Sequence, residues 1–185
     1  MLRLAQLIDG ASNAFGHLFA AYIEERHKQD RFVAEIQREL TGVPIGPFEA
    51  SLRRSQSDTL NALGACIALI ADNIARLYAA EAFGDEQERR KHGRIIKDAA
   101  GRNTTTFGTV LWAAANAARH YGDEPFRPTT EAVIAAFGIE ERDESLAYQL
   151  LEIAEIRSKN DITNDLDVIF GSMDHLVWRQ KQAGS

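Results

Sequence analysis

The sequence predicts an all-α fold, and three observations carry that expectation. Apolar residues recur in alternating steps of three and four along two long stretches, Leu4 to Leu40 and Leu60 to Leu77, the spacing of a helix-packing seam. Proline, which interrupts helices, stands at Pro44, Pro47, Pro125 and Pro128, between periodic stretches and not inside their seams. No segment alternates apolar and polar residues as a half-buried strand would.

The first helix is expected over residues 2–40. Its seam runs through Leu4, Ile8, Ala11, Phe15, Leu18 and Tyr22, falters at Glu25 and Gln29, and resumes at Phe32, Ile36 and Leu40. Gly10 and Gly16 weaken it locally. Thr41-Gly-Val-Pro44 ends it, because glycine supplies a C-cap and proline cannot continue the helix. A second helix is expected over about 48–83, with Leu60, Leu63, Ile67, Ile70, Ile74 and Leu77 as its seam. Two consecutive helices with matched seams and a short connection predict a long antiparallel hairpin over residues 2–83. Its apolar tip would include Phe32 and Ile36. An unbroken first helix would be roughly 57 Å long, whereas a compact chain of this size has a radius of gyration near ~16 Å. Either the helix breaks at its glycines or the hairpin projects. A projecting arm with an apolar tip calls for a partner, commonly a second copy.

Asp85 to Lys97 is expected as a charged helix, acidic residues first and basic residues last, as the helix dipole prefers. Its basic group of Arg89, Arg90, Lys91, Arg94 and Lys97 reads as a solvated face, with phosphate contact as the alternative. Gly101 to Thr106 reads as a loop whose threonines can cap the next helix. Phe107 to Phe126 is the centre of the chain: its residues are small and nearly uncharged, so it is expected to be buried on all sides. Thr129 or Thr130 would cap a short helix, Glu131 to Phe137, ended by Gly138. Amphipathic helices over Asp143–Ser158 and Asp161–Gln180 complete the helical remainder, 85–180. The expectation is one helical domain over residues 1–185, the hairpin packed with four or five shorter helices.

Charge argues against a duplex-binding module. Residues 1–100 carry 13 basic and 14 acidic side chains, and residues 101–185 carry 8 and 13, so neither half has the basic excess of such a module. Cys66 is the only cysteine, which excludes an intramolecular disulfide and a cysteine zinc site; inside Leu63-Gly-Ala-Cys-Ile-Ala-Leu-Ile70 it reads as core. The N-terminus reaches Asp9 after a short apolar stretch, unlike a signal peptide, and the longest uncharged apolar run is too short for a bilayer, so a cytoplasmic protein without membrane contact is expected. No cofactor or metal is expected. Glu24-Glu-Arg-His27 contains the Glu-x-x-His of di-iron bundles, but no second copy exists and both residues face away from the seam.

Candidate chemistry concentrates on the central stretch. Trp112, Asn116 and His120 are spaced by four and share one helix face, Arg119 lies on the neighbouring face, and Asp123 and Glu124 lie just beyond. One reading makes His120 an acid/base group oriented by Asn116, with Arg119 or Arg102 meeting an anion. The competing reading is a structural lock in which His120 and Asn116 pin facing helices and Arg119 pairs with Asp123 or Glu124.

The segment Asn116-Ala-Ala-Arg-His-Tyr-Gly-Asp-Glu124, set in an all-helical chain, resembles segments of HEPN-type and related prokaryotic helical proteins. That resemblance implies a dimer and a defence, regulatory or toxin–antitoxin setting, in a superfamily with many RNA-cleaving members. The family's nuclease motif places Arg before His with four to six residues between. For His120 those positions are Ala113, Ala114 and Ala115, and no other histidine in the chain has an arginine at the required separation. The resemblance therefore implies the scaffold and not the nuclease. The expected function is a non-catalytic, homodimeric interaction protein with Phe32 and Ile36 at its contact and room for a protein partner. The alternatives are an RNA- or nucleotide-acting enzyme centred on His120, and a small-molecule site between helices near Trp112, with Arg102 and Asp123 as further binding candidates.

Overall fold

The computed structural model describes residues 2–39, 46–98, 100–120, 127–139, 146–156 and 159–183. Its elements are α1 (Leu2–Glu39), α2 (Pro47–Phe83), a 3-10 helix (Glu86–Lys91), β1 (Ile95–Lys97), β2 (Asn103–Thr106), α3 (Phe107–Arg119), α4 (Pro128–Phe137), α5 (Leu146–Ile153) and α6 (Lys159–Ala183). The fold is all-α, with one small antiparallel ribbon of β1 and β2 among the described residues.

α1 is continuous through Gly10 and Gly16, 38 residues in length. The exposed Gly10 costs the helix only its conformational entropy, which packing along a long element absorbs. Of its predicted seam, Phe15 and Tyr22 are buried and Leu18 half-buried; Phe19, off that seam, is buried as well and packs against both aromatic neighbours. α1 packs against α2. A turn between them would fall on residues 40–45, which lie outside the described residues.

α2 carries Pro at its first turn and ends at Gly84, whose φ of 69° is the left-handed conformation and whose N–H bonds to the Ala80 carbonyl. Its buried side is broader than its aliphatic seam. Gly64, Ala68, Ala71, Asp72, Ala75 and Ala79 are buried beside Leu60, Ile67 and Ile74, while Leu63, Ile70 and Leu77 are only half-buried. Small residues let α1, α3, α5 and α6 approach closely on that side. Cys66 is exposed, contrary to the core position expected of it, because it faces away from the alanine stripe. Asp58–Phe83 is long and apolar enough to cross a membrane by length and composition, yet the same segment supplies much of the buried core.

α3 is the hub. Ten of its thirteen residues are buried, and it packs against α2, α5, α4 and the 3-10 helix, as its small and nearly uncharged composition predicts. One contiguous cluster of buried side chains joins α1 to α6 and Ile96 of β1 around it. The helix stops at Arg119, and residues 121–126 lie outside the described residues.

The largest departure from expectation is 85–97. Asp85 caps a 3-10 helix by accepting from the Gln87 N–H, and the chain then turns at Gly93, where φ is 95°, into β1. β1 pairs with β2, Ile95 opposite Thr106 and Ile96 opposite Thr105, so part of the predicted loop 101–106 is strand. α4 begins earlier than predicted, with Pro128 in its first turn, and ends at Gly138 as expected. Thr130 is buried within α4 and does not cap it.

Candidate functional site

The N-terminus of α3 is closed by its own chain. Thr106 caps the helix, accepting from the Thr109 N–H at 3.2 Å, and the Thr106 and Thr109 hydroxyls both donate to the Arg90 carbonyl. The Phe107 N–H donates to the Arg94 carbonyl at 2.8 Å and the Gly108 N–H to the His92 carbonyl at 3.0 Å. Helix N-termini bind anions through such free N–H groups, and here segment 90–94 takes them up. The same segment lays two guanidiniums on α3 aromatics: Arg90 lies 5.0 Å from the Trp112 ring centroid and Arg94 5.7 Å from that of Phe107. Arg94 also pairs with Asp165 of α6 at 2.9 Å and donates to the Ala154 carbonyl beyond α5.

At the other end of α3, Asn116 donates from Nδ2 to the Thr130 hydroxyl at 3.0 Å, both residues buried. Arg119 donates from Nη2 to Asp72 Oδ2 at 2.9 Å. Asp72, 1% exposed, accepts further bonds from Arg89 Nε at 2.7 Å and Nη2 at 3.3 Å, and Arg89 also donates to the Glu86 carbonyl. One buried carboxylate thus joins two guanidiniums and ties α2, the 3-10 helix and α3 together. His120 is the C-cap residue of α3, half-buried, with its N–H on the Asn116 carbonyl.

The candidates from sequence therefore separate. Trp112 and Asn116 are buried against different neighbours, Arg90 and Thr130. Arg119 pairs with Asp72, 47 residues away; its predicted partner Asp123 lies outside the described residues. Arg102 precedes β2, which leads into the N-terminal end of α3, whereas His120 caps the other end of that helix. Arg102 turns back on Asp98, Nε to Oδ2 at 2.7 Å. The Arg102 backbone N–H, with its guanidinium and the Ala100 N–H, holds the Asp98 carboxyl below the usual carboxylate range against the opposing effect of burial. Phe32 is half-buried in α1, and the side chain of Ile36 lies outside the described residues. The basic group expected as a solvated face is dispersed: Arg89 is buried on Asp72, Arg90 covers Trp112, Arg94 meets Asp165, and Lys91 pairs with Glu88 at 2.6 Å.

Two titratable groups are perturbed by this packing. Burial pushes the Asp165 carboxyl up, opposed by Arg94. His92 is buried and stacked on Phe83 at 6.2 Å, and among the described residues its Nε2 has no hydrogen-bond partner, lying 3.7 Å from Glu88 Oε1. Burial lowers its pKa below the ordinary 6.5, opposed by Glu88 and assisted by Lys91. Because the folded value is depressed, the unfolded chain protonates first as pH falls, so stability present above 6.5 is lost below it. His92→Gln is expected to narrow the stability difference between urea melts at about pH 5 and about pH 7.5. An unchanged difference would mean that folding leaves the proton affinity of His92 as it is in the unfolded chain.

Asp72 and Arg89 carry the most buried charge pair described, and neither follows from motif or seam. The one signal in the sequence is an acidic residue inside the largely apolar run Ala68 to Ala75. Glu24 and His27 are exposed, and among the described residues no group of three His, Cys, Asp or Glu side chains is placed to hold a metal. Comparisons with protein-family models, curated proteins and solved structures return no match.

Proposed function

We propose that this protein is a non-catalytic helical interaction protein that works as a homodimer, in the prokaryotic defence, regulatory or toxin–antitoxin setting implied by the resemblance of its Asn116–Glu124 segment. One observation carries the reading. Two polar side chains of the central helix that could do chemistry are held in structural pairs, Asn116 by Thr130 and Arg119 by Asp72. An active site needs groups free to meet a substrate, and a carboxylate shared between two arginines is a clamp instead. The large apolar side chains left exposed include Val168, Leu176 and Trp178, all on α6.

The expected result by light scattering is a mass about twice the 20.5 kDa chain. His120→Ala should leave that mass unchanged, and neither form should cleave single-stranded RNA or hydrolyse nucleotides. A monomeric mass overturns the reading. So does a wild-type RNA- or nucleotide-cleaving activity that His120→Ala abolishes while the melting temperature holds, which would install the enzyme centred on His120 in its place.

A further inference from the structure

The geometry points to the outer face of α6 as a self-association surface, on which two copies of this chain pair antiparallel and cross near Gly171; the inference rests on the homodimer reading above. The inner stripe of α6 is Ile162, Leu166, Ile169 and Met173, all buried. By the 3.6-residue period the opposite face carries Val168, Gly171, His175 and Trp178. All four are exposed, Val168 to 48% and Trp178 to 58%. The tryptophan ring is stacked on His175 at 6.2 Å, which presents it as a flat platform, and tryptophan is the residue type most concentrated at interface centres. Beyond Met173 no residue of α6 is buried, so its last turns gain little support from the body of the chain while carrying Leu176-Val177-Trp178.

Gly171 makes the face specific. A Cβ added there would meet nothing within 4 Å, so the fold of this chain does not require glycine at that position. Glycine inside a helix costs stability, and its usual return is close approach of another backbone. Charge then selects direction and partner. The first half of α6 carries Lys159, Asp161, Asp165 and Asp167, and the second carries Asp174, Arg179 and Lys181, so the first half is acidic and the second weakly basic. A parallel pair sets like charges side by side. An antiparallel pair crossing at Gly171 sets the acidic half of each helix against the basic half of its partner. The same register seats Val168 between the partner's Gly171 and Trp178, about one turn from each. The patch complements itself, as a two-fold interface must.

The test uses the full chain. In a Cys66→Ser background, Gly171→Cys should form an intermolecular disulfide with its own copy on mild oxidation, since a residue on the two-fold axis meets itself; Asn13→Cys, exposed on α1, should not. Val168→Asp and Trp178→Asp, at exposed positions, should keep the wild-type circular dichroism and raise the dimer dissociation constant at least about tenfold. A wild-type dimer that both variants retain and that Gly171→Cys does not cross-link overturns this surface and leaves the homodimer reading standing. Loss of the dimer in Phe32→Asp alone would assign the contact to α1 instead. A monomeric wild type at about 100 µM overturns both.

Discussion

Gly108→Ala is expected to destabilise the protein by about 3 kcal/mol or more, lowering the melting temperature by roughly 10 °C. A methyl group is among the smallest additions that can be made, yet here it has nowhere to go. The new Cβ would lie 2.1 Å from the Arg89 carbonyl oxygen and 2.9 Å from that of His92. Both are backbone atoms of the segment folded over the start of α3, so no side chain can rotate aside. The close approach exists because the Gly108 N–H must reach the His92 carbonyl, one of the bonds that closes the helix N-terminus. Relieving the clash means lifting segment 89–94 from α3, which also moves Arg90 off Trp112 and Arg94 off Phe107. The same substitution at Gly10, exposed in α1 with nothing within 4 Å, should instead stabilise by about 0.5–1 kcal/mol, because alanine restricts the unfolded chain. Urea unfolding of the two variants should show shifts of opposite sign. A Gly108→Ala midpoint equal to wild type would mean that segment 89–94 does not sit on α3 as described.

That contrast also bears on what could be read from sequence. The all-α class, the long α1 and α2, and the glycine stop at Gly138 come from local rules of period, cap and breaker, and local rules are visible in a single chain. Segment 85–97 obeys no such rule. Acidic residues before basic ones suit a helix dipole, but the order says nothing about Asp72, which draws Arg89 inward from 17 residues away. β1 and β2 have three and four residues, too few for alternation to register. The alanine stripe of α2 was hidden for another reason: hydrophobic seams are found by their large residues, whereas the closest helix contacts use small ones. On α3 the four-residue spacing correctly puts Trp112 and Asn116 on the buried side. Their partners, Arg90 and Thr130, belong to other elements and become visible only when the chain is folded.

Asp72→Asn is expected to cost about 3–5 kcal/mol, the penalty for leaving a buried charge without its counter-charge. Asparagine keeps the shape of the side chain, but it offers one carbonyl oxygen where Asp72 offers two, and it turns an NH₂ toward guanidinium N–H groups. The two arginines differ in how they can respond. The Arg119 side chain is 38% exposed and can swing into water, so Arg119→Met should cost only about 1 kcal/mol. The Arg89 side chain is 3% exposed and cannot do the same. Most of the loss in Asp72→Asn therefore falls on Arg89, and removing that charge should recover much of it. Asp72→Leu with Arg89→Met should be considerably more stable than the sum of the single variants predicts, with a coupling of about 2 kcal/mol in a double-mutant cycle. Thermal unfolding of the four proteins measures it. Additive losses would mean that Arg89 reaches solvent when Asp72 is gone, and that the clamp between α2 and the 3-10 helix is looser than its geometry. A large coupling would show that Arg89 stays buried on Asp72 and that the pair clamps the 3-10 helix to α2.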